Sequence, residues 1–238
     1  MIVCLDSGNT RIKWGVHDGE RWLAQGAVDH AGSGELAALP TTWPQPDKVL
    51  LANVAGNDVA TRIREQLADW QSVFREVKAE AKRGGVTNRY QNPGQLGVDR
   101  WCALIGARSL TRMACIVVMA GTATTIDTLD ADGNFLGGLI LPGSPLMRRA
   151  LARDTAGLPL AAGQYAEYPR CTDDAIVSGA IEAQAGAIER AFRRLADRRT
   201  QCLISGGDAQ VLADCLSIPH ALIPNLPLEG LKVLGCDD

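Results

Sequence analysis

The feature that most constrains this chain is a pattern of extended runs and polar loops that occurs twice. It opens at Ile2-Val3-Cys4-Leu5, passes through Asp6-Ser7-Gly8-Asn9-Thr10, resumes with Ile12, Trp14 and Val16 at alternate positions, turns at Asp18-Gly19 and reopens at Trp22-Leu23-Ala24. It opens again at Cys115-Ile116-Val117-Val118-Met119, passes through Ala120-Gly121-Thr122-Ala123-Thr124-Thr125, resumes over 126–129, turns at Asp132-Gly133-Asn134 and continues over 135–141. Period-two alternation bounded by turn residues predicts strands at each of these places. Further apolar strands are expected at 49–54 and 202–204. Helices are expected at 59–70, with Ile63, Leu67 and Trp70 on one face, at 98–110, after Pro142-Gly143, at 173–196, and from the 205–208 loop to Cys215. This order predicts an α/β fold of two similar half-domains, mixed sheets flanked by helices, one covering 1–112 and the other 113–238. No Pro/Gly/Ser-rich linker separates them.

Composition removes several classes of function. A chain of 238 residues buries roughly 70% or more of its unfolded surface, so it needs no disulfide or structural metal to hold a core. With 24 basic and 27 acidic residues the net charge is −3, and like charges form no run. A nucleic-acid surface relying on bulk charge is therefore excluded. Trp14, Trp22, Trp43, Trp70 and Trp101 also lack the interleaved basic residues of a base-stacking platform. No apolar stretch reaches the ~18 residues that span a bilayer. The seven cysteines are odd in number and never in a C-x-x-C pair, which reads as buried thiols in a reducing compartment. Together with an N-terminus that enters a strand without a basic leader, this predicts a soluble cytoplasmic protein. His17, His30 and His220 have no metal-ligand spacing and are assigned surface or structural roles. Arg193-Arg194 and Arg198-Arg199 read as a solvated helix end.

Three loops carry chemistry. Asp6-Ser7-Gly8-Asn9-Thr10-Arg11-Ile12-Lys13 sets a carboxylate at a strand end, then a Gly open to close approach, then hydroxyl, amide and amine donors, the set that a phosphate chain with Mg²⁺ requires. A plain hairpin turn has similar residues. Gly121-Thr122-Ala123-Thr124-Thr125 offers three hydroxyls as a cradle for a second phosphate, although Thr is also a good strand former. Ser205-Gly206-Gly207-Asp208 removes side chains where a flat ring could lie on backbone. Gly97-Val98-Asp99-Arg100 at a helix start places an acid beside a guanidinium. Asp99 can orient a hydroxyl or accept its proton, while Arg100 offsets charge on a transferring phosphoryl or on a substrate carboxylate. Asp127 is a nearby acid, a Mg²⁺ or structural candidate at most. The chain contains no G-x-x-x-x-G-K-[ST], no G-x-G-x-x-G after a strand and no G-x-S-x-G.

Taken jointly, Asp6-x-Gly-Asn-Thr-x-x-Lys13, Tyr90, Gly97-x-Asp-Arg100, Gly121-Thr-Ala-x-Thr125, Gly137-Gly138 with Pro142-Gly143, and Ser205-Gly-Gly-Asp208 resemble type III pantothenate kinase in order and approximate spacing. That family belongs to the acetate kinase, sugar kinase, Hsp70 and actin superfamily, with its ribonuclease H-like halves. The resemblance covers essentially the whole chain. It implies ATP-dependent phosphorylation of pantothenate to 4'-phosphopantothenate, the first step of coenzyme A synthesis. It also implies that Asp6, Ser7, Gly8, Asn9, Thr10, Lys13, Thr122, Gly206 and Gly207 hold ATP, with Asp6 on Mg²⁺ directly or through water. Tyr90, Gly97, Val98, Asp99, Arg100 and Thr172 would hold pantothenate, with Asp99 as proton acceptor. A homodimer and a monovalent cation, K⁺ or NH₄⁺, are further implications. Met119 departs from the pattern, standing where family members commonly carry the Asp that ligates that cation, and a thioether is a poor ligand for a hard ion. Either the cation site is lost or other oxygens build it. The rivals are a kinase for another small hydroxyl compound, and a Bvg accessory factor-like protein acting in transcription without catalysis.

Overall fold

The first apolar run becomes a central strand because every residue from Ile2 to Leu5 is buried, which only a strand covered on both faces allows. The computed structural model describes residues 1–195 and 199–237. β1 (Ile2–Ser7), β2 (Arg11–His17) and β3 (Trp22–Asp29) form an antiparallel meander. The chain then passes through a 3-10 stretch (His30–Ala38) and α1 (Leu39–Thr42) to β4 (Lys48–Asn53), α2 (Asn57–Gln66), a second 3-10 stretch (Ala68–Val73) and β5 (Phe74–Glu76). β4 joins β1 in parallel and β5 joins β4 in parallel, so the sheet order is β3-β2-β1-β4-β5. Val3, Leu5, Ile12, Val49, Leu51, Ile63, Leu67 and Trp70 share its core. The helix expected to reach Trp70 ends at Gln66. Leu67 and Trp70 are three apart, and the tighter 3-10 turn keeps both on the buried side.

Beyond this sheet come β6 (Lys82–Arg83), β7 (Val86–Asn88), a 3-10 turn (Pro93–Gln95) and α3 (Val98–Leu110), whose bounds are those expected from sequence. The second unit holds β8 (Cys115–Ala120), β9 (Ala123–Leu129), β10 (Asn134–Pro142) from Leu136 onward, α4 (Ser144–Asp154), α5 (Thr172–Arg194), β11 (Gln201–Ser205), α6 (Ala209–Ala213) and β12 (His220–Leu222). Its strand order, β10-β9-β8-β11-β12, repeats that of the first unit strand for strand. Ile116, Val118 and Ile126 from the strands pack on Ile176, Val177, Ile181 and Ile188 of α5 and on Leu212 of α6. The expected helix end at residue 196 lies outside the described residues, as does Arg198. Arg193 forms an i,i+4 ion pair with Glu189 on an exposed face.

By its contacts the first unit comprises Met1–Arg112, Gly133–Phe135 and the chain from Asn225 onward, and the second comprises Met113–Asp132 and Leu136–Pro224. A single cut after residue 112 therefore leaves out the path of α7 (Leu226–Cys236), which packs on α3 in the first unit. A Cβ at Gly230 would stand 1.8 Å from the carbonyl oxygen of Cys102, so the two helix backbones touch where no side chain fits. α7 was not expected from sequence because its two interior glycines each cost about 1 kcal/mol of helix propensity. It is also apolar almost all round, the pattern of a buried helix without a periodic signal. Cys4, Cys102, Cys115 and Cys202 are buried thiols as expected, whereas Cys171 and Cys236 are exposed, and none of the seven forms a disulfide. Among the described residues no helix is long and apolar enough to cross a membrane.

Candidate active site

In the first unit, the β1–β2 hairpin places Asp6 at a strand end, opposite Lys13 on β2 and Ala52 on β4. The expected turn forms at residues 8–10, closed by Gly8 N donating to Arg11 O at 3.1 Å, and Asn9 and Thr10 are exposed at its tip. Asp6 is 8% exposed and its Oδ1 has no hydrogen-bond partner; Ser7 Oγ is buried in the same condition. Buried acceptors are normally satisfied, so this is a place with an unmet need for a donor or a cation. Burial pushes the Asp6 carboxyl up to about 7, the charge of Asp99 adds to the rise and Lys13 opposes it. A buried acid beside a second acid is an arrangement that a divalent ion relieves. Among the described residues no group of three or more His, Cys, Asp or Glu could cage a metal by itself. A single carboxylate with a buried unpartnered oxygen fits Mg²⁺, which takes one or two carboxylates and completes its shell with phosphate oxygens and water.

Sequence reasoning gave His30 only a generic structural role. Its Nε2 lies 2.8 Å from Gly8 O, so it pins the hairpin loop from the end of β3. The signal was available in retrospect, since His30 follows directly on β3, whose last residue Asp29 pairs with Arg11 of β2.

Gly97 precedes α3, and Asp99 falls in its first turn, where the helix N-terminus favours a negative charge. Arg100 follows and is 4% exposed. Its Nη1 donates to Tyr90 Oη at 3.2 Å, and its guanidinium carbon lies 5.8 Å from the ring centres of both Tyr90 and Phe135. The two rings are 5.1 Å apart. A buried cation held by a phenol oxygen and two ring faces has a fixed direction, which a planar guanidinium exploits better than an ammonium. The expected grouping of Tyr90 with 97–100 is therefore present, with Phe135 as a partner that the sequence did not reveal.

In the second unit, the loop expected at 121–125 is shorter. Only Gly121 and Thr122 form the turn, and Ala123, Thr124 and Thr125 are already in β9, because β-branched threonines pack well on a pleated, half-buried surface. Thr122 is exposed, Thr124 is completely buried, and Thr125 Oγ1 is buried without a partner. The turn meets two other motifs. Gly143 N donates to Thr122 O at 2.9 Å, and Asp208 N donates to Ala120 O at 3.2 Å. Gly206 has φ +113°, and a Cβ there would lie 2.0 Å from Ala120 O, so only glycine fits. Gly207 is exposed with nothing near its missing side chain, an open patch of backbone. The Gly121-Thr122 turn, Pro142-Gly143 and Ser205-Gly-Gly-Asp208 thus converge. Met119 is partly buried on β8, in register with Thr125 and Ser205. Asp127 is completely buried in β9, and Thr172 is exposed as the first residue of α5.

The repeated sheet and these loops agree with what the chain is similar to. A solved structure of a protein from Campylobacter jejuni, described as a Baf family transcriptional activator, superposes with a TM-score of 0.65 at 21% identity, covering 99% of this chain and 98% of that one. The activator of 2-hydroxyisocaproyl-CoA dehydratase from Clostridium difficile, with bound ADPNP, gives 0.58 at 13% identity, covering 99% and 94%. These likenesses show the fold, the two-half actin-like one, and no more than that. The closer likeness is in sequence: the type III pantothenate kinase of Dechloromonas aromatica (strain RCB) is 67% identical over 235 residues, 99% of each chain. The family model of type III pantothenate kinase matches residues 2–194. A match spanning both sheets, the Asp6 hairpin, the Tyr90 to Arg100 segment and the Gly121 turn leaves one conclusion: the chain belongs to the type III pantothenate kinase family.

Proposed function

We propose that the chain transfers the γ-phosphoryl group of ATP to the primary hydroxyl of pantothenate, forming 4'-phosphopantothenate in the first step of coenzyme A synthesis. The observation that carries the residue-level reading is the pair of acids in the first unit: Asp6, buried with an unpartnered oxygen, and Asp99, near enough to raise its pKa. One acid serves the nucleotide and the other serves the hydroxyl. When bound, Mg²⁺ supplies charge neutralisation on the phosphates, and Asp6 would hold it directly or through water, with Ser7 to Thr10 and Lys13 lining the phosphates. Asp99 accepts a hydrogen bond from the attacking hydroxyl and takes its proton as the new O–P bond forms. Arg100, aimed by Tyr90 and Phe135, faces the carboxylate or the developing phosphoryl charge. Thr122 takes a further phosphate, Gly206 and Gly207 present open backbone to the base, and Thr172 contacts pantothenate. Such transfer asks little covalent chemistry of the protein, so positioning and charge are sufficient. A panel of small hydroxyl compounds at saturating MgATP tests specificity: pantothenate should be turned over and compounds lacking its carboxylate should not.

A homodimer is part of this reading, and Leu136 and Ile140, exposed two pleats apart on β10 in the second unit, are apolar residues suited to burial against a second copy. A cytoplasmic site of action fits the two substrates.

Met119 bears on the monovalent cation. Its neighbours in register, Thr125 and Ser205, offer hydroxyls but no charge, and a thioether adds neither. Turnover is expected to depend only weakly on K⁺ or NH₄⁺. The check is turnover in Na⁺, K⁺ and NH₄⁺ buffers of equal ionic strength, for the wild type and Met119→Asp. A wild-type requirement as strong as that of a carboxylate-bearing relative assayed alongside would show that other oxygens complete the site.

A further inference from the structure

α5 carries one buried polar side chain that the transfer scheme leaves unused. Gln184 is 1% exposed, on the face of the helix that also presents Ile181 and Ile188 to the core. Its Nε2 donates to Ala180 O at 2.7 Å, and its Oε1 accepts from Thr124 Oγ1 at 2.5 Å. The first bond fixes the second. Reversing the amide would turn its oxygen toward a carbonyl oxygen, so Gln184 can only accept from Thr124, and the Thr124 hydroxyl is committed as donor. A buried glutamine and a buried threonine are expensive unless paired, and apolar side chains of similar size would fill both places.

Thr124 lies two residues beyond Thr122 on β9. The Gly121-Thr122 turn is thus held at three points: Asp208 N on Ala120 O before it, Gly143 N on Thr122 O within it, and Gln184 on Thr124 after it. The first two are backbone bonds that no substitution of a side chain removes. The third is made by side chains alone, and it ties the turn to α5, the longest helix described.

We infer that Gln184 is a positioning residue for the nucleotide: through Thr124 it holds the Gly121-Thr122 turn in the shape that receives a phosphate, so it sets affinity for MgATP and leaves the chemical step alone. This rests on the reading of that turn as a phosphate cradle. The test uses the full-length protein and measures binding of the non-hydrolysable β,γ-imido analogue of ATP with Mg²⁺, KM for MgATP and for pantothenate, kcat, and thermal stability. Gln184→Met and Thr124→Val should each weaken analogue binding and raise KM for MgATP about tenfold, with kcat and KM for pantothenate changed by less than about twofold. The double variant should be no worse than either single one, because both remove the same bond. Thr124→Ser, which keeps the hydroxyl, should bind like wild type. Folded Gln184→Met with wild-type affinity, additive losses, or equal loss in Thr124→Ser would each overturn the proposal. If Gln184→Met does not fold, the contrast between Thr124→Val and Thr124→Ser decides alone. Gly121→Ala separates the two ideas, since the nearest atom to its added Cβ is Ala123 O at 3.8 Å and the change disturbs only what approaches the turn. Weakened binding in Gly121→Ala with normal binding in the Gln184 and Thr124 variants removes the positioning role only. Normal binding in Gly121→Ala removes the phosphate cradle and the positioning role with it.

Discussion

Asp6→Asn is expected to lower phosphoryl transfer by roughly 10³-fold or more, the scale of several kcal/mol of lost charge stabilisation at a transferring phosphoryl, while making the free protein more stable. Both effects follow from the same observation. The carboxylate is buried at a strand end with one oxygen unpartnered and with Asp99 as an acidic neighbour, opposed only by Lys13. Without nucleotide this is an unfavourable place for a charge. The native state holds the Asp6 proton up to about pH 7, whereas the unfolded chain loses it near its ordinary value of 3.8. Between those values the native state binds more protons, so this group's contribution makes the free protein lose stability as pH rises through that window. An isosteric amide carries no charge to bury, so Asp6→Asn should melt higher at neutral pH by a few degrees, with a flatter pH dependence. Melting curves of both proteins from pH 4 to 8, without nucleotide, check the sign. An active Asp6→Asn enzyme would reduce the hairpin to a turn, and an unchanged melting temperature would show that the carboxylate is satisfied.

Asp99→Asn should lower turnover by ~10²-fold or more, the usual contribution of a positioned base, while binding of MgATP is preserved. The amide keeps the size and the first-turn position on α3 but cannot take a proton. Nothing in the Asp6 hairpin is removed, so the nucleotide side stays intact. Single-turnover rates and direct binding of MgATP separate the two effects. Turnover near wild type would show that the hydroxyl needs no base here, while loss of MgATP binding with unchanged chemistry would move Asp99 to the nucleotide.

The sheets and most helices were legible because their signals are local. Alternation at Ile12, Trp14 and Val16, the unbroken apolar run 115–119 and the helix of residues 98–110 need no knowledge of what packs on them. The repeat was visible as a sequence of elements, and the structure shows it as one strand order used twice. What escaped was set by packing. α7 carries Gly230 because the Cys102 carbonyl lies where a side chain would be, and Gly235 because Ile2 fills that space, and no periodicity encodes either. The threonines after Gly121 suit a phosphate loop by their hydroxyls, yet the pleated surface of β9 claims Thr124 and Thr125. At the candidate site, types and spacing pointed to Asp6, Lys13, Asp99 and Arg100, and the family resemblance added Tyr90. Phe135 beneath the guanidinium, His30 on Gly8 and Gln184 on Thr124 are long-range partners that a single sequence does not pair.

The most direct test of the central claim is ADP formation by the purified protein with Mg²⁺ and ATP, followed with and without pantothenate. ADP should appear at a rate that depends on pantothenate and saturates with it, in one-to-one stoichiometry with a product heavier than pantothenate by one phosphoryl group. ADP release that is indifferent to pantothenate, or none in its presence from protein that binds MgATP, would contradict the account.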